Sequence, residues 1–394
     1  MGCRLNALES EKIQNLLATL VPAAILVNTC AVTAEAERQS GQTVRKLARE
    51  NPDAPIFVTG CAATRNDALF SQIPGAIVIH NRDKMNINAY ADAIVGMPCD
   101  NARIGTFNHA ESRLSKQFIQ VQNGCNHACA YCITRVLRGA AVSFDYKDIL
   151  ADARAAIDNG FTEIVLTGVD TASYARDGML ISDVCRQLLQ DVPEIQRLRL
   201  SSMDPASPQI FKILDLIRQD ARMMPHMHLS MQSGCDAILR AMRRRHTAQI
   251  VRDIAAYNPD VTFSWDIICG FSGESAEYFD DTLALVRETR PIKIHAFPFS
   301  PRPGTEAADM PNQIDRHTSK ERVKTITDTA DKIRAEYMEQ QIGKNVQVLV
   351  EENNSARCPH DIPVKIIGDH IPARTVMNVI LTEIKDDTFI GRAA

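Results

Sequence analysis

Three cysteines stand close together in one short stretch, "NGCNHACAYCITR", residues 123–135. They are Cys125, Cys129 and Cys132, so their spacing is CxxxCxxC. Each iron of a cubane 4Fe–4S cluster takes one protein thiolate, and three cysteines therefore leave one iron open for another ligand. The alternative is half of a zinc site that is completed elsewhere. The strand-like segment "FIQVQ" before the motif favours the cluster, because it places the thiols in a loop at a strand end.

Three further cysteines, Cys3, Cys30 and Cys61, lie in separate segments of the first part of the chain. Cys30 follows the strand-like run "AAILVNT", and Cys61 follows "PIFVTG". Parallel strands end at the same edge of a sheet, so these thiols are expected to lie together, with Cys3 in a similar position at a helix start. A single cysteine of this kind is more often a buried apolar side chain. Three of them predict a second 4Fe–4S cluster with one open iron.

The composition is that of a globular protein, with 45% hydrophobic and 23% charged residues among 394. The sequence has neither a continuous apolar run long enough for a membrane span nor an apolar secretory signal, which predicts a cytoplasmic protein. A reducing compartment argues against disulfides for the 11 cysteines. The net charge of −4 gives no overall sign of nucleic-acid binding, so an RNA site must be a local patch.

The elements that must hold these cysteines alternate between strands and helices. Residues 1–98 predict a small α/β domain with a parallel sheet, and residues 99–115, which have no clear period, predict a linker. Residues 116–341 carry six βα units and a trailing helix, which predict an open or closed parallel barrel with its functional loops at the carboxyl ends of the strands. Residues 342–394 carry only short strands and predict a small all-β barrel.

The segment around Cys125 resembles the radical S-adenosylmethionine (SAM) enzymes, and Tyr131 matches the aromatic residue before their third cysteine. Together with the other three cysteine segments and a C-terminal barrel of the TRAM type, essentially the whole chain is similar to the radical SAM methylthiotransferases. The MtaB-type branch, which acts on threonylcarbamoyladenosine in tRNA, is the most similar one. The stretches that carry this similarity are "GCRLN", "NTCAVTAEAERQS", "LTGVD", "RLRLSSMDP", "RRRHT" and "FSPRPGT".

This resemblance implies a partial (β/α)6 barrel, with SAM and two 4Fe–4S clusters as cofactors. One SAM molecule is expected to methylate sulfur carried by the second cluster, and another to yield a 5′-deoxyadenosyl radical at the Cys125 cluster, with Tyr131 near the adenine. The methylthio group is then expected on carbon 2 of N6-threonylcarbamoyladenosine at position 37 of tRNA. The implied partners are a tRNA anticodon loop, a flavodoxin- or ferredoxin-type electron donor and a sulfur donor. A monomer is expected.

Residues at the ends of the barrel strands are predicted to contact SAM, with turn formation or barrel packing as the alternative. By resemblance, Arg244 is a partner of the SAM carboxylate, which an arginine fork suits, and Gln232 and Ser233 face the cofactor pocket. At Gly270 the missing side chain is expected to let the backbone approach the adenine. The other positions are Gly168, Asp170, Ser201, Ser202 and Asp204.

The predicted RNA surface is small. Four arginines near the barrel mouth are expected to contact tRNA phosphates, with ordinary solvated surface as the alternative: Arg135, Arg138, Arg243 and Arg245. Arg302 is expected either to order a loop around the substrate or to stabilise a turn. The remaining histidines and cysteines without ligand spacing are interpreted as core or incidental residues; they include His226, His228, Cys99, Cys185, Cys235, Cys269 and Cys358.

Only Met1 and Gly2 precede Cys3, where the similar enzymes have a strand, so loss of the second cluster is one expectation. The alternatives to the leading function are methylthiolation of isopentenyladenosine in tRNA, methylthiolation of a ribosomal protein, and a noncatalytic iron–sulfur protein that binds tRNA. The residues around Cys3 differ from those of the isopentenyladenosine and ribosomal-protein branches, which favours the leading function.

Overall fold

We describe the fold from a computed structural model that covers residues 4–20, 24–31, 34–95 and 114–394. Cys3 and Cys99 lie outside these described residues, as does the predicted linker 99–115 apart from its last two residues. Within the described ranges, no helix combines the length and the apolar character that a membrane span requires. The elements fall into three groups along the chain.

The first group is a three-stranded parallel sheet with flanking helices. Short runs rich in Ile and Val form its strands. In spatial order these are β1 (Ile25–Thr29), β2 (Ile56–Gly60) and β3 (Ala76–Val78). The helices are α1 (Arg4–Leu20), α2 (Ala34–Glu50), α3 (Cys61–Arg65), α4 (Asp67–Ser71) and α5 (Ile87–Val95). Thr29 pairs with Gly60 in the register, so β1 and β2 end at the same level.

The second group is an open barrel whose parallel strands are separated by helices. In spatial order the strands are β4 (Gln117–Gln120), β7 (Glu163–Thr167), β10 (Arg197–Leu200), β11 (His226–Gln232), β12 (Thr262–Cys269) and β13 (Lys293–Pro298). They form two three-stranded sheets, which isolated bridges between Leu198 and Met223 and between Met203 and Leu229 connect. In the part of the chain that the structure describes, β4 does not pair with β13, so the barrel is open there.

Helices and short hairpins fill the connections of this barrel. The helices are α6 (Thr134–Arg138), α7 (Tyr146–Asp158), α8 (Ile181–Asp191), α9 (Gln209–Gln219), α10 (Asp236–Ala241), α11 (Ala248–Tyr257) and α12 (Ala276–Thr289). The hairpins pair β5 (Gln122–Asn123) with β6 (Val142–Ser143), and β8 (Ala175–Arg176) with β9 (Met179–Leu180). Short 3₁₀ turns lie at Thr171–Ser173 and Glu306–Ala308.

Side chains along the barrel strands alternate between the outer helices and the barrel interior. Outward residues such as Trp265 and Ile267 belong to one large buried apolar core. The inward face is more polar: His226 Nε2 lies 3.0 Å, and His228 Nδ1 2.9 Å, from Ser264 Oγ. Both histidines are therefore satisfied inside the fold, in agreement with their interpretation as core residues. Cys185, Cys235, Cys269 and Cys358 are likewise buried.

The third group is a closed five-stranded barrel that follows a long helix, α13 (Arg316–Glu339). Its strands are β14 (Asn345–Val350), β15 (Ser355–Arg357), β16 (Pro363–Ile367), β17 (Val376–Lys385) and β18 (Thr388–Ala393), with a 3₁₀ turn at Glu352–Asn354. The order β14-β15-β16-β18-β17 closes on itself, and closure leaves no unpaired sheet edge. Buried apolar side chains such as Val348, Val364 and Phe389 fill it.

The closed barrel docks against the amino-terminal ends of the open-barrel strands. Arg199 donates to Pro359 O (2.8 Å), and both Arg197 and Arg199 donate to Glu163, at 2.5 and 3.0 Å. Burial alone would raise the pKa of Glu163, but the charges of Arg199, Arg197 and Lys116 lower it to about 2. The C-terminal barrel is thus fixed at the end of the open barrel opposite to the cysteine motif.

Candidate functional site

The loop that carries the three motif cysteines lies beyond the carboxyl end of β4, between β5 and α6. Backbone hydrogen bonds fix its path; for example, Cys125 N donates to Gly139 O (3.2 Å). Gly124 precedes the first cysteine with φ +69°, and a Cβ there would lie 2.0 Å from Ala140 O. Only glycine fits this position. The three thiols of the motif therefore share one short, tightly constrained loop.

The surroundings of these thiols suit metal ligands. Burial raises the pKa of the Cys125 thiol to about 11 and also raises the pKa of Cys132. Backbone N–H groups nevertheless point at both sulfurs, because His127 N lies 3.4 Å from Cys125 Sγ and Thr134 N lies 3.4 Å from Cys132 Sγ. Such donors stabilise thiolates once a metal replaces the proton. The donor set fits three ligands of a 4Fe–4S cluster.

Arg244 is buried beside Cys129. Its Nη2 donates to Asp204 Oδ1 (3.0 Å) and Ser230 O (2.7 Å), and its Nη1 lies 3.7 Å from Cys129 Sγ. Its Nε is buried and has no hydrogen-bond partner within the described ranges. A buried unsatisfied donor costs free energy, and a carboxylate is the group that a guanidinium binds best. The arrangement therefore fits the predicted SAM carboxylate, with Asp204 holding the arginine in place.

Acidic and imidazole groups lie at the same barrel mouth. Asp170, directly after β7, places its Oδ2 4.0 Å from Cys125 Sγ and 2.7 Å from His127 Nε2. The turn is fixed by Gln122, whose Oε1 accepts from Asp170 N (2.9 Å). His127 was not among the predicted site residues, although its place inside the cysteine motif was a usable signal.

The other predicted SAM positions fall into two groups, those at the strand ends and those that contact the outer helices. Gly168, Ser201, Ser202 and Gln232 lie at or just beyond the carboxyl ends of the strands. Tyr131 is partly buried in an apolar cluster beside the cysteine loop, and burial raises its pKa well above the usual value.

Two of these positions are explained by contacts with the outer helices. Ser233 Oγ lies 3.3 Å from Thr282 Oγ1 of α12. A Cβ on Gly270 would lie 2.0 Å from Ser319 Oγ of α13, so the missing side chain makes room for that helix. Packing, the alternative stated for both, accounts for their residue types without a cofactor.

The second set of thiols lies at one edge of the N-terminal sheet. Cys30 directly follows β1, and Cys61 directly follows β2 and begins α3, while Cys3 lies outside the described residues. Gly60 has φ +99°, and a Cβ there would lie 2.3 Å from Thr29 O, so the two strand ends approach closely. The structure thus brings Cys30 and Cys61 to neighbouring strand ends, as the sequence pattern predicts.

The two cysteine regions share one interface. Cys61 packs in the same apolar cluster as Ile133 and Leu137, which lie just after the motif cysteines. Asn81 Nδ2 donates to Leu137 O (3.0 Å) and lies 3.5 Å from Cys61 Sγ. The thiols at the sheet edge therefore lie close to the helix that follows the cysteine loop of the barrel.

Arg302 strengthens this interface from the other side. It is buried; its Nη2 donates to Ala31 O, beside Cys30, and its Nη1 lies 3.6 Å from Glu37 Oε2. The backbone of Arg302 also forms the turn that the sequence offered as one alternative, because Arg302 O accepts from Thr305 N (3.0 Å) and from Thr305 Oγ1 (2.7 Å). Its side chain in addition joins the loop after β13 to the loop that follows β1.

Two family models match the chain. The Radical SAM superfamily matches residues 119–286, and Uncharacterized protein family UPF0004 matches residues 1–80. The threonylcarbamoyladenosine tRNA methylthiotransferase MtaB of Rickettsia prowazekii is 38% identical, over 93% of this chain and 90% of its own length. The chain belongs to the MtaB-type methylthiotransferase family. It is 31% identical to the protein of the same name from Chlamydia pneumoniae, over 99% of this chain and 96% of that one.

Other relatives are consistent with this membership. The tRNA-2-methylthio-N(6)-dimethylallyladenosine synthase of Zymomonas mobilis is 29% identical over 89% of this chain and 84% of its own. A solved structure of the radical SAM methyltransferase TsrM from Kitasatospora setae has a TM-score of 0.58 at 14% identity, over 72% of this chain and 65% of that one. The structural similarity to TsrM confirms the barrel fold. As a family member the chain is a radical SAM enzyme with SAM and 4Fe–4S clusters as cofactors.

Among the arginines predicted to contact RNA, Arg138 requires a correction. Its side chain is buried, with Nη1 2.9 Å from Glu9 Oε1 and Nη2 2.7 Å from Asn6 Oδ1. Lys84 Nζ also lies 2.6 Å from Glu9 Oε2, so a buried charge network holds Arg138. The arginine joins the family's N-terminal domain to the barrel, and it is not accessible to a phosphate.

The other three arginines are open to solvent. Arg135 lies exposed on α6. Arg243 and Arg245 are 55% and 58% exposed, although they pair with Glu306 (2.6 Å) and Asp204 (3.3 Å). Both lie between α10 and α11, so the run of arginines is not a helix face. These three positions stay predicted RNA contacts.

Proposed function

We propose that this protein inserts a methylthio group at carbon 2 of N6-threonylcarbamoyladenosine at position 37 of tRNA. The observation that carries the proposal is the meeting of two cysteine regions across one interface, at the mouth of a radical SAM barrel. Relatives named threonylcarbamoyladenosine tRNA methylthiotransferase align with 93% and 99% of this chain. Methylthiolation needs a radical source and a sulfur carrier side by side, and two neighbouring cluster sites supply that.

When bound, SAM and the clusters supply methyl transfer, radical formation and the inserted sulfur. The chain's own residues bind and orient these groups. Cys125, Cys129 and Cys132 would hold one cluster, and Cys30, Cys61 and Cys3 the second. Arg244, held by Asp204, would bind the SAM carboxylate through its unsatisfied Nε. The barrel mouth, where the motif cysteines and Arg244 are only partly exposed, would limit the access of water to the reacting groups.

The substrate base must leave its stack in the anticodon loop to reach this mouth. Arg135, Arg243 and Arg245 are exposed beside it and suit phosphate contacts. We further infer a monomer in the cytoplasm that receives electrons from a flavodoxin- or ferredoxin-type protein and sulfur from a donor protein or sulfide. A reducing compartment agrees with nine described cysteines that are all free thiols.

The test is nucleoside analysis by mass spectrometry of tRNA from cells that lack the gene and from cells that are complemented with it. We expect the methylthio derivative of threonylcarbamoyladenosine to disappear and to return. A change confined to the isopentenyladenosine derivative, or to a ribosomal protein, would replace the proposed substrate. No change in any of these would identify a noncatalytic iron–sulfur protein.

A further inference from the structure

Asn81 joins the two cysteine regions through a single amide group. It lies in the loop after β3, and its backbone N donates to Thr64 Oγ1 of α3 (2.8 Å), which fixes the loop against the helix that Cys61 begins. Its Nδ2 then directs one hydrogen to Leu137 O of α6 (3.0 Å) and the other towards Cys61 Sγ (3.5 Å). Both amide hydrogens are therefore used, one on each side of the interface.

The orientation of this amide is determined by its neighbours. A carbonyl oxygen and a thiolate are both acceptors, so turning the amide would place Oδ1 against both of them. In the observed orientation Oδ1 is buried and has no partner among the described residues. An unsatisfied buried oxygen costs free energy, and two donated hydrogen bonds offset that cost.

An N–H group directed at a ligating sulfur affects the electron affinity of a cluster. Hydrogen bonds to the sulfurs, and the net charge nearby, set the reduction potential of 4Fe–4S clusters, because reduction adds negative charge to the cluster and its thiolates. The buried network on the same side of the domain carries one negative group, Glu9, between Lys84 and Arg138. Its net charge of about plus one acts in the same direction as the Asn81 amide.

We propose that Asn81 is a positioning residue that raises the reduction potential of the second cluster through its hydrogen bond to Cys61, while it ties that ligand to the helix after the first cluster. The inference rests on the proposed function, since it assumes a cluster on Cys61. It predicts that the second cluster accepts an electron more readily than it would without the amide.

The experiment isolates the second cluster in the full chain. The Cys125/Cys129/Cys132 triple alanine variant is reconstituted anaerobically, and it is titrated with dithionite, which is oxidised to sulfite as it delivers one electron to each cluster. Electron paramagnetic resonance follows the reduced cluster. We expect Asn81→Ala to make reduction about tenfold less favourable, a shift of about 59 mV to lower potential for a one-electron couple. Asn81→Asp, which keeps the shape and replaces a donor by a carboxylate, should shift it at least as far.

Asn51→Ala is the matched control, because Asn51 also donates to a backbone carbonyl of this domain, Leu47 O (3.0 Å), but does not contact a cysteine. The reduction potential of the cluster in the Asn51→Ala variant should equal that in the triple alanine variant. If both Asn81 variants retain about four irons and their reduction potentials are unchanged, the inference is overturned. Loss of iron from both variants would also overturn it, in favour of a purely structural role for Asn81. If the triple variant itself binds no iron, the second cluster and with it the proposed sulfur insertion fail, an outcome that is visible before any Asn81 variant is titrated.

Discussion

The two cysteine regions reach a similar result by different means. In the barrel, one loop carries all three thiols, and hydrogen bonds within and around that loop set its shape. At the N-terminal sheet, Cys30 and Cys61 come from different strands, and only the parallel pairing of Thr29 with Gly60 places them at one edge. The first set is local and the second is assembled, so a backbone change far from a thiol should affect the second set more.

Both regions nevertheless share one backbone feature. A glycine with positive φ and no room for a Cβ directly precedes Cys125 and Cys61. At Gly124 the obstacle is a residue in the return of the same loop, and at Gly60 it is the neighbouring strand. The same residue type thus closes a loop in one region and aligns two strands in the other.

The largest expected effect is that of Cys125→Ala. Removing one ligand from the local set leaves two thiols for the cluster, so reductive SAM cleavage should fall to the level of protein without iron. The measurement is 5′-deoxyadenosine formed anaerobically with dithionite. Cys358→Ala, a buried cysteine of the C-terminal barrel, is the control and should retain cleavage. Normal cleavage by the Cys125 variant would contradict the cluster assignment.

Cys30→Ala should separate the two regions. We expect 5′-deoxyadenosine formation to continue, because the barrel loop is intact, while methylthio product is lost. Iron should fall from about eight to about four per chain, as one of two cubanes requires. Both quantities can be measured on the same anaerobic preparation. Continued methylthiolation would mean that the sheet-edge thiols do not carry the second cluster.

Gly60→Ala tests whether the second set depends on strand alignment. A Cβ would lie 2.3 Å from Thr29 O at a residue with φ +99°, so the strand ends must move apart. We expect loss of about half of the iron, with SAM cleavage retained. Gly75→Ala is the matched control. Gly75 lies in the same domain and has φ +76°, but an added Cβ would lie 3.9 Å from its nearest atom. It should cost only the backbone strain of about 1–2 kcal/mol and keep both clusters. Equal behaviour of the two variants would refute the alignment argument.

The pair Arg138→Met and Arg135→Met compares a buried and an exposed arginine of one short helix. Arg138→Met removes one of the two cations that contact Glu9 and leaves Lys84 in place, so it should lower the free energy of unfolding by about 1–3 kcal/mol. Arg135→Met should change the free energy of unfolding by less than about 0.5 kcal/mol. It should weaken tRNA binding, and the slope of the logarithm of the binding constant against the logarithm of salt concentration should become shallower by about one. Urea unfolding and filter binding at several salt concentrations measure these effects. If Arg138→Met weakened tRNA binding without lowering stability, Arg138 would again be assigned as an RNA contact.

A gradual effect concerns pH and the junction between the open and the closed barrel. Burial lowers the pKa of His226 to about 3 and that of His360 to about 4. The unfolded chain takes up these protons near pH 6.5 and the folded chain does not, so their contribution is complete above about pH 6.5 and is lost as pH falls towards 4. Each histidine adds a slope of at most about 1.4 kcal/mol per pH unit. Urea midpoints between pH 7.5 and 5 should fall, and His226→Gln should flatten that fall. Equal slopes in both proteins would contradict the assignment.

The sequence by itself determined the local features. The spacing of Cys125, Cys129 and Cys132 places three thiols in one loop whatever surrounds it. The alternation of strands and helices predicted the parallel sheets and the open barrel, and the strand-only tail predicted the closed one. Because Cys30 and Cys61 each follow a parallel strand, their common edge was also predictable.

Only the tertiary structure decided the roles that depend on distant partners. Arg138 is a domain contact because Glu9, 129 positions away, folds against it. Ser233 and Gly270 face helices that follow much later in the chain, and Asn81 reaches Cys61 and Leu137 at the same time. A sequence pattern reports which residue types repeat along one segment. Pairing between segments depends on packing free energy that the whole fold supplies, so these contacts have no local signal.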